Sequence, residues 1–234
     1  MAFKSKWKIL KLLLGVILIP VLLGFAEVFY DLIQDIASLR NLKFKAFISG
    51  MAAYIPVYFL FLRKSGFLET FEHELTHMLF AKLFLKKTDK LLVTAKQGGF
   101  VVTEGHNFLI ALAPYFFPTF SFVLLLFRFV IKDEFFTPLL ALIGFSLSYH
   151  IVSTFKEVRP RQSDIKGQGY IFSIFFIPTA ILICYGIVLS FSFYGYEGLK
   201  DYCLSGYEES KGWYLLISHK LNVFSERIPR SLQS

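Results

Sequence analysis

The stretch Phe71-Glu72-His73-Glu74-Leu75-Thr76-His77-Met78-Leu79-Phe80 decides how the rest of the chain must be arranged. It contains His-Glu-Xaa-Xaa-His, a pattern that holds zinc on a helix. His73 and His77 are four positions apart, so a helix places both on one face, one turn apart. Two neutral imidazoles so placed can share a tetrahedral ion and leave positions for water. Glu74 is rotated off the ligand face and can act on water as a base without competing as a ligand. The flanks are apolar: Met78-Leu79-Phe80-Ala81 and Leu83-Phe84-Leu85. A carboxylate between two histidines is costly in such a setting unless it serves chemistry. The helix therefore belongs in a membrane, and the fold must bring other polar groups to its depth.

Composition supports that placement. Of 234 residues, 55% are hydrophobic and 29 are Phe, and the mean hydropathy is +0.57. A water-soluble domain of this size would not carry so much apolar sequence. The formal charge is +8, from 25 Lys and Arg against 17 Asp and Glu. The basic residues lie between apolar runs, not on one soluble face, so they fit lipid head groups and the positive-inside rule and exclude a nucleic-acid partner. Cys184 falls within an apolar run and Cys203 near the end. Neither belongs to a CxxC pair, so cysteine supplies no zinc site and no disulfide framework.

The apolar runs predict an all-α polytopic membrane protein with about six transmembrane or re-entrant helices. Residues 1–8 are basic, and 9–25 read as a retained first membrane helix instead of a cleaved signal, because no small-Xaa-small cleavage site follows. Residues 31–46 read as a polar loop and 46–62 as a second span. The metal helix follows over about 68–85. Residues 91–103 then read as a small β-hairpin with a Gly-Gly turn at Gly98-Gly99. The run 108–131 carries Pro114 and Pro118, four apart, which break or kink a helix. The spans 135–155 and 169–194 complete the membrane domain, 1–194. Residues 195–234 form a polar tail, in which 213–228 has the pattern of an interfacial helix.

A catalytic zinc needs a third protein ligand. The residues alone leave His106, His150, Glu157 and Asp164 as candidates. His150 lies within a span, where an ionisable group is a functional candidate by default.

The order of these features resembles the site-2 protease group of intramembrane zinc metalloproteases, peptidase family M50, and its small bacterial members in particular. In that group the His-Glu-Xaa-Xaa-His helix is followed by a β-hairpin, a Gly-Pro or Ala-Pro span, and a late aspartate. Ala113-Pro114 and Ser163-Asp164-Ile165 are similar to the last two features, whereas the Leu-Asp-Gly form of larger members is absent. The resemblance covers about residues 68–190. It implies Zn²⁺ on His73, His77 and Asp164, with Glu157 the rival to Asp164. It implies Glu74 as the catalytic base, a membrane-protein substrate, and a bacterial inner-membrane location. The hairpin itself reads either as an edge strand that pairs with an extended substrate segment or as a plain connection. On the former reading Gly98, Gly99, Phe100, Val101 and Val102 are candidate substrate-contacting residues, and His150 is a further one as a group that could polarise the substrate.

Depth adds a constraint independent of that resemblance. Three full crossings between His77 and Asp164 would leave the ligands on opposite sides of the bilayer. Either the metal helix is therefore re-entrant or the Asp164 loop dips into the membrane; loop charges favour the former and put the site toward the cytoplasm. The expected activity is a zinc-dependent intramembrane endopeptidase. The alternative is a membrane zinc-binding scaffold or transporter component without hydrolytic activity.

Overall fold

The computed structural model describes residues 2–64, 66–94, 98–103, 107–159 and 162–227. His106 lies outside the described residues. Eight α-helices and one hairpin appear in the order α1 (Ala2–Leu39), α2 (Leu42–Val57), α3 (Phe67–Leu83), β1 (Thr88–Thr94), β2 (Gly98–Thr103), α4 (Phe108–Leu112), α5 (Thr119–Phe127), α6 (Phe136–Glu157), α7 (Ser163–Gln168) and α8 (Tyr170–Arg227).

Among the described residues four helices are long and apolar enough to cross a membrane: Leu13–Leu39, Leu42–Leu62 (α2 with its terminal π-turn), Asp133–Glu157 and Tyr170–Phe224. The protein is an integral membrane protein. The expected count of about six is corrected to four, or to five if the bent pair α4–α5 is one crossing. The expected six counted re-entrant helices too, and the metal helix α3, expected to be re-entrant, is not among the four. At 17 residues it is about 25 Å long, short of the roughly 30 Å hydrocarbon core. It also carries the buried carboxylates Glu69, Glu72 and Glu74.

Two expected loops are helical. Residues 31–39 continue α1, and the break is confined to Arg40 (φ 46°) and Asn41. There the Asn41 side chain accepts a hydrogen bond from Phe44 N at 2.9 Å and caps α2. Residues 196–227 continue from α8 beyond Gly195, whose backbone (φ 68°, ψ −151°) is non-helical. In a straight helix residues 182 and 202 would stand about 30 Å apart. Instead Tyr202 Oη donates to Leu182 O at 2.9 Å, so the chain turns back at Gly195. The returning arm packs on α1, where the rings of Phe25 and Tyr202 lie 5.7 Å apart.

The core sits between α4, α6 and α8, around the fully buried Leu112, Leu140 and Val188. Helix α2 crosses α6 at two glycines. A Cβ on Gly50 would lie 1.8 Å from Ala141 O, and one on Gly144 would lie 2.2 Å from Phe47 O. Backbones can approach that closely only where no side chain intervenes.

The strands β1 and β2 pair antiparallel and pack on α3. Gly98 and Gly99 face Thr94 and Val93 within the ladder, so the Gly-Gly pair is strand and not turn; residues 95–97 lie outside the described residues.

Candidate metal centre

Helix α3 begins after Gly66, whose left-handed backbone (φ 58°) suits glycine. Glu69 in the first turn and Lys82 in the last complement the helix dipole. Two neighbours on α6 hold it. Lys156 Nζ contacts both Glu69 oxygens, at 2.5 and 2.6 Å. Glu157 Oε2 lies 2.7 Å from His73 Nδ1. On the opposite flank Glu72 Oε1 accepts from Phe120 N at 3.4 Å, and Thr76 Oγ1 lies 2.5 Å from Thr119 Oγ1. These contacts fasten α3 to the first turn of α5.

The segment between α3 and α6 is broken, as the two prolines predict. After α4 a 3₁₀ turn (Ala113–Tyr115) leads into α5, and the two halves meet at 82°. The break presents a backbone carbonyl to the metal helix, with His77 Nδ1 2.8 Å from Ile110 O.

These contacts set the tautomers. A carbonyl can only accept, so Nδ1 of His77 carries the proton; Glu157 imposes the same choice on His73. Both Nε2 atoms of the neutral rings then present lone pairs, and they face each other at 3.1 Å. Asp164 Oδ2 completes a triangle, 3.7 Å from His73 Nε2 and 3.6 Å from His77 Nε2. Three converging electron pairs repel unless a cation lies among them. Ligands about 2.0–2.1 Å from a tetrahedral zinc stand roughly 3.3 Å from one another, and the observed edges straddle that value. Among the described residues His73, His77 and Asp164 are the group able to hold a metal. The donor set of two imidazoles and a carboxylate fits zinc.

This chain belongs to the Peptidase M50B-like family. The family model matches residues 46–203, which takes in every residue of the centre. No curated protein matches the chain, and no solved structure does. M50 peptidases are membrane metallopeptidases and generally depend on zinc.

The other candidates fall in different places in this M50B-like chain. Glu157 meets His73 at Nδ1, on the far side of the ring from the triangle, so it does not share the position of Asp164. Glu74 is buried beside the cluster and couples electrostatically to His73, His77 and Asp164. Burial pushes its carboxyl above the usual carboxylate range, against the pull of the two histidines. His150 is not brought to the cluster: its Nδ1 pairs with Tyr185 Oη at 2.7 Å in the core between α6 and α8. Backbone pairing places Gly98 to Val102 in β2, against Thr94 to Lys90.

Sequence reasoning missed three partners: Tyr115, whose Oη lies 3.3 Å from Asp164 Oδ2, the Ile110 carbonyl, and Glu72. Only Glu72 carried a signal, as an extra carboxylate on an otherwise apolar helix.

Proposed function

We propose that the protein is a zinc-dependent intramembrane endopeptidase. The observation that carries this is the triangle of His73 Nε2, His77 Nε2 and Asp164 Oδ2 with Glu74 beside it. Zinc held there supplies Lewis-acid polarisation of a scissile carbonyl and acidification of a water. Glu74 takes the proton from the attacking water and passes it to the departing amine. The raised affinity of its carboxyl for protons suits a base that must accept and then release one. Glu157 and Ile110 O hold the two imidazoles with their Nε2 atoms toward the ligand position.

The substrate is a membrane-protein segment. Its helix must unwind before hydrolysis, because its carbonyls are otherwise engaged in hydrogen bonds. The two-stranded sheet packed on α3 leaves one edge of β2, Gly98 to Val102, with no strand partner among the described residues. Such an edge can pair with an unwound segment. The metal site faces the cytoplasm. Lys11 Nζ reaches Gln168 Oε1 at 2.7 Å, which places the basic N-terminal turns and the basic 156–168 segment at one end of the molecule.

Purified protein in lipid nanodiscs, loaded with one equivalent of zinc, should cleave transmembrane peptides. Glu74→Gln should keep the zinc and lose about 10²–10⁴-fold in rate. Undiminished cleavage by Glu74→Gln, or none by the zinc-loaded wild type across a transmembrane peptide library, would refute the reading.

A further inference from the structure

Each histidine of the triangle has an outer partner that orients it: Glu157 for His73 and the Ile110 carbonyl for His77. The third corner has a harder orientation problem. Asp164 sits on α7, a helix of only six residues. The terminal torsion of a carboxylate is broad and nearly two-fold, so two equivalent oxygens compete for the same position. Something must choose one oxygen and hold it.

We propose that Tyr115 is the positioning residue of this third ligand. Its Oη lies 3.3 Å from Asp164 Oδ2, the same oxygen that faces both histidines. An ionised carboxylate can only accept, so the phenol donates. It occupies one lone-pair direction of Oδ2 and leaves another for the metal. That favours ligation through one oxygen over two, which keeps a coordination position free for water.

Tyr115 can hold Asp164 because it is itself held. It is fully buried, and its ring stands edge-on to His73, with centroids 5.5 Å apart at 82°. It closes the rigid 3₁₀ turn Ala113–Tyr115, which contains Pro114. The same break therefore delivers two outer partners from one short segment, Ile110 O to His77 and Tyr115 Oη to Asp164. Pro114 has no N–H, so the Ile110 carbonyl four residues earlier lacks its helical donor and is left for His77. If the ring served packing alone, a phenylalanine would do as well.

This inference rests on the zinc reading above. Its test uses metal affinity, which does not require a substrate. Full-length wild type, Tyr115→Phe, Asp164→Ala and the double variant are purified in nanodiscs. Zinc dissociation constants are measured by chelator competition, and visible spectra are recorded with Co²⁺ in place of zinc. Tyr115→Phe preserves the ring. It should weaken zinc about 10–100-fold and change the cobalt spectrum, with thermal unfolding of the metal-free protein unaltered. In the Asp164→Ala background the same change should have no further effect, because residues acting through one another are non-additive. Wild-type affinity and an unchanged cobalt spectrum in Tyr115→Phe would overturn the inference. So would a loss that persists undiminished without Asp164, which marks a packing role. If Tyr115→Phe weakens the metal as stated and the wild type cleaves no peptide, the proposed function fails and the role of Tyr115 stands.

Discussion

Removing Glu157 separates a residue that orients a ligand from one that is a ligand. Its Oε2 lies 2.7 Å from Nδ1 of His73, and the triangle uses Nε2, on the other side of the same ring. One ion cannot reach both positions, so Glu157→Ala should leave three protein donors in place. What it removes is a charge-assisted hydrogen bond in a largely buried site, worth about 1.5–3 kcal/mol. Each 1.4 kcal/mol is about a factor of ten, so zinc should bind roughly 10–100-fold more weakly. Glu157→Gln keeps an acceptor at the same place and should recover most of that loss. Asp164→Ala removes a donor outright and should cost far more. Chelator competition on the purified variants in nanodiscs reads all three constants. If Glu157→Ala and Glu157→Gln both lost zinc as completely as Asp164→Ala, Glu157 would be a ligand and the triangle would be misassigned. If Glu157→Ala bound zinc as tightly as wild type, its contact with His73 would have no orienting role.

Two further predictions concern the scaffold. Burial lifts the Glu72 carboxyl to about 8, so the folded state holds that proton more tightly than the unfolded chain does. Wild-type stability should therefore fall between about pH 4.5 and pH 8 relative to Glu72→Gln, which cannot ionise, as read by thermal unfolding of both across that range. Glu72→Gln as pH-dependent as the wild type would contradict this. At the α2–α6 crossing, Gly144→Ala places a methyl 2.2 Å from Phe47 O. Backbone cannot yield as a flexible side chain does, so the variant should lose about 1–3 kcal/mol or more in denaturant unfolding; an unchanged midpoint would show that the helices are not packed at this spacing.

Much of the chemistry was legible because it is local. His73, Glu74 and His77 lie within five residues, and helical periodicity alone puts the imidazoles on one face. Local chemistry also announced the break at Pro114 and Pro118, since proline removes a donor and blocks the preceding turn. The ends of α1 and α8 were not legible. Residues 31–39 and 196–209 carry charges that look like loop sequence, yet they stay helical by packing on each other. The carboxylates Asp31 and Asp35 of one and Glu197, Asp201 and Glu209 of the other line an open cavity between them, with Glu27 one turn earlier in α1. Hydropathy registers whether a residue favours water, not whether a neighbouring helix covers its backbone. The run of the metal helix is apolar enough to resemble a span, but its three buried carboxylates are held by Lys156, by Phe120 N and beside the metal cluster.

Composition by itself marked this as a membrane protein, and short-range spacing marked His73, His77 and Glu74 as a two-histidine motif with a carboxylate beside it. That a carboxylate far along the chain should join them came from the family resemblance, since the residues alone left His106 and His150 open as well. Only the tertiary structure decided which carboxylate faces the lone pairs and which meets the back of a ring. Glu157 and Asp164 are seven residues apart and chemically alike, and in the sequence only the likeness of Ser163-Asp164-Ile165 to the family's late aspartate favoured one over the other. Their roles differ because α6 delivers one to Nδ1 and α7 delivers the other to Nε2. The outer partners Ile110 O and Tyr115 Oη were likewise invisible, since a backbone carbonyl has no sequence signature and a tyrosine in an apolar run reads as core. Long-range geometry made them part of the site, by setting one short segment beside the metal helix.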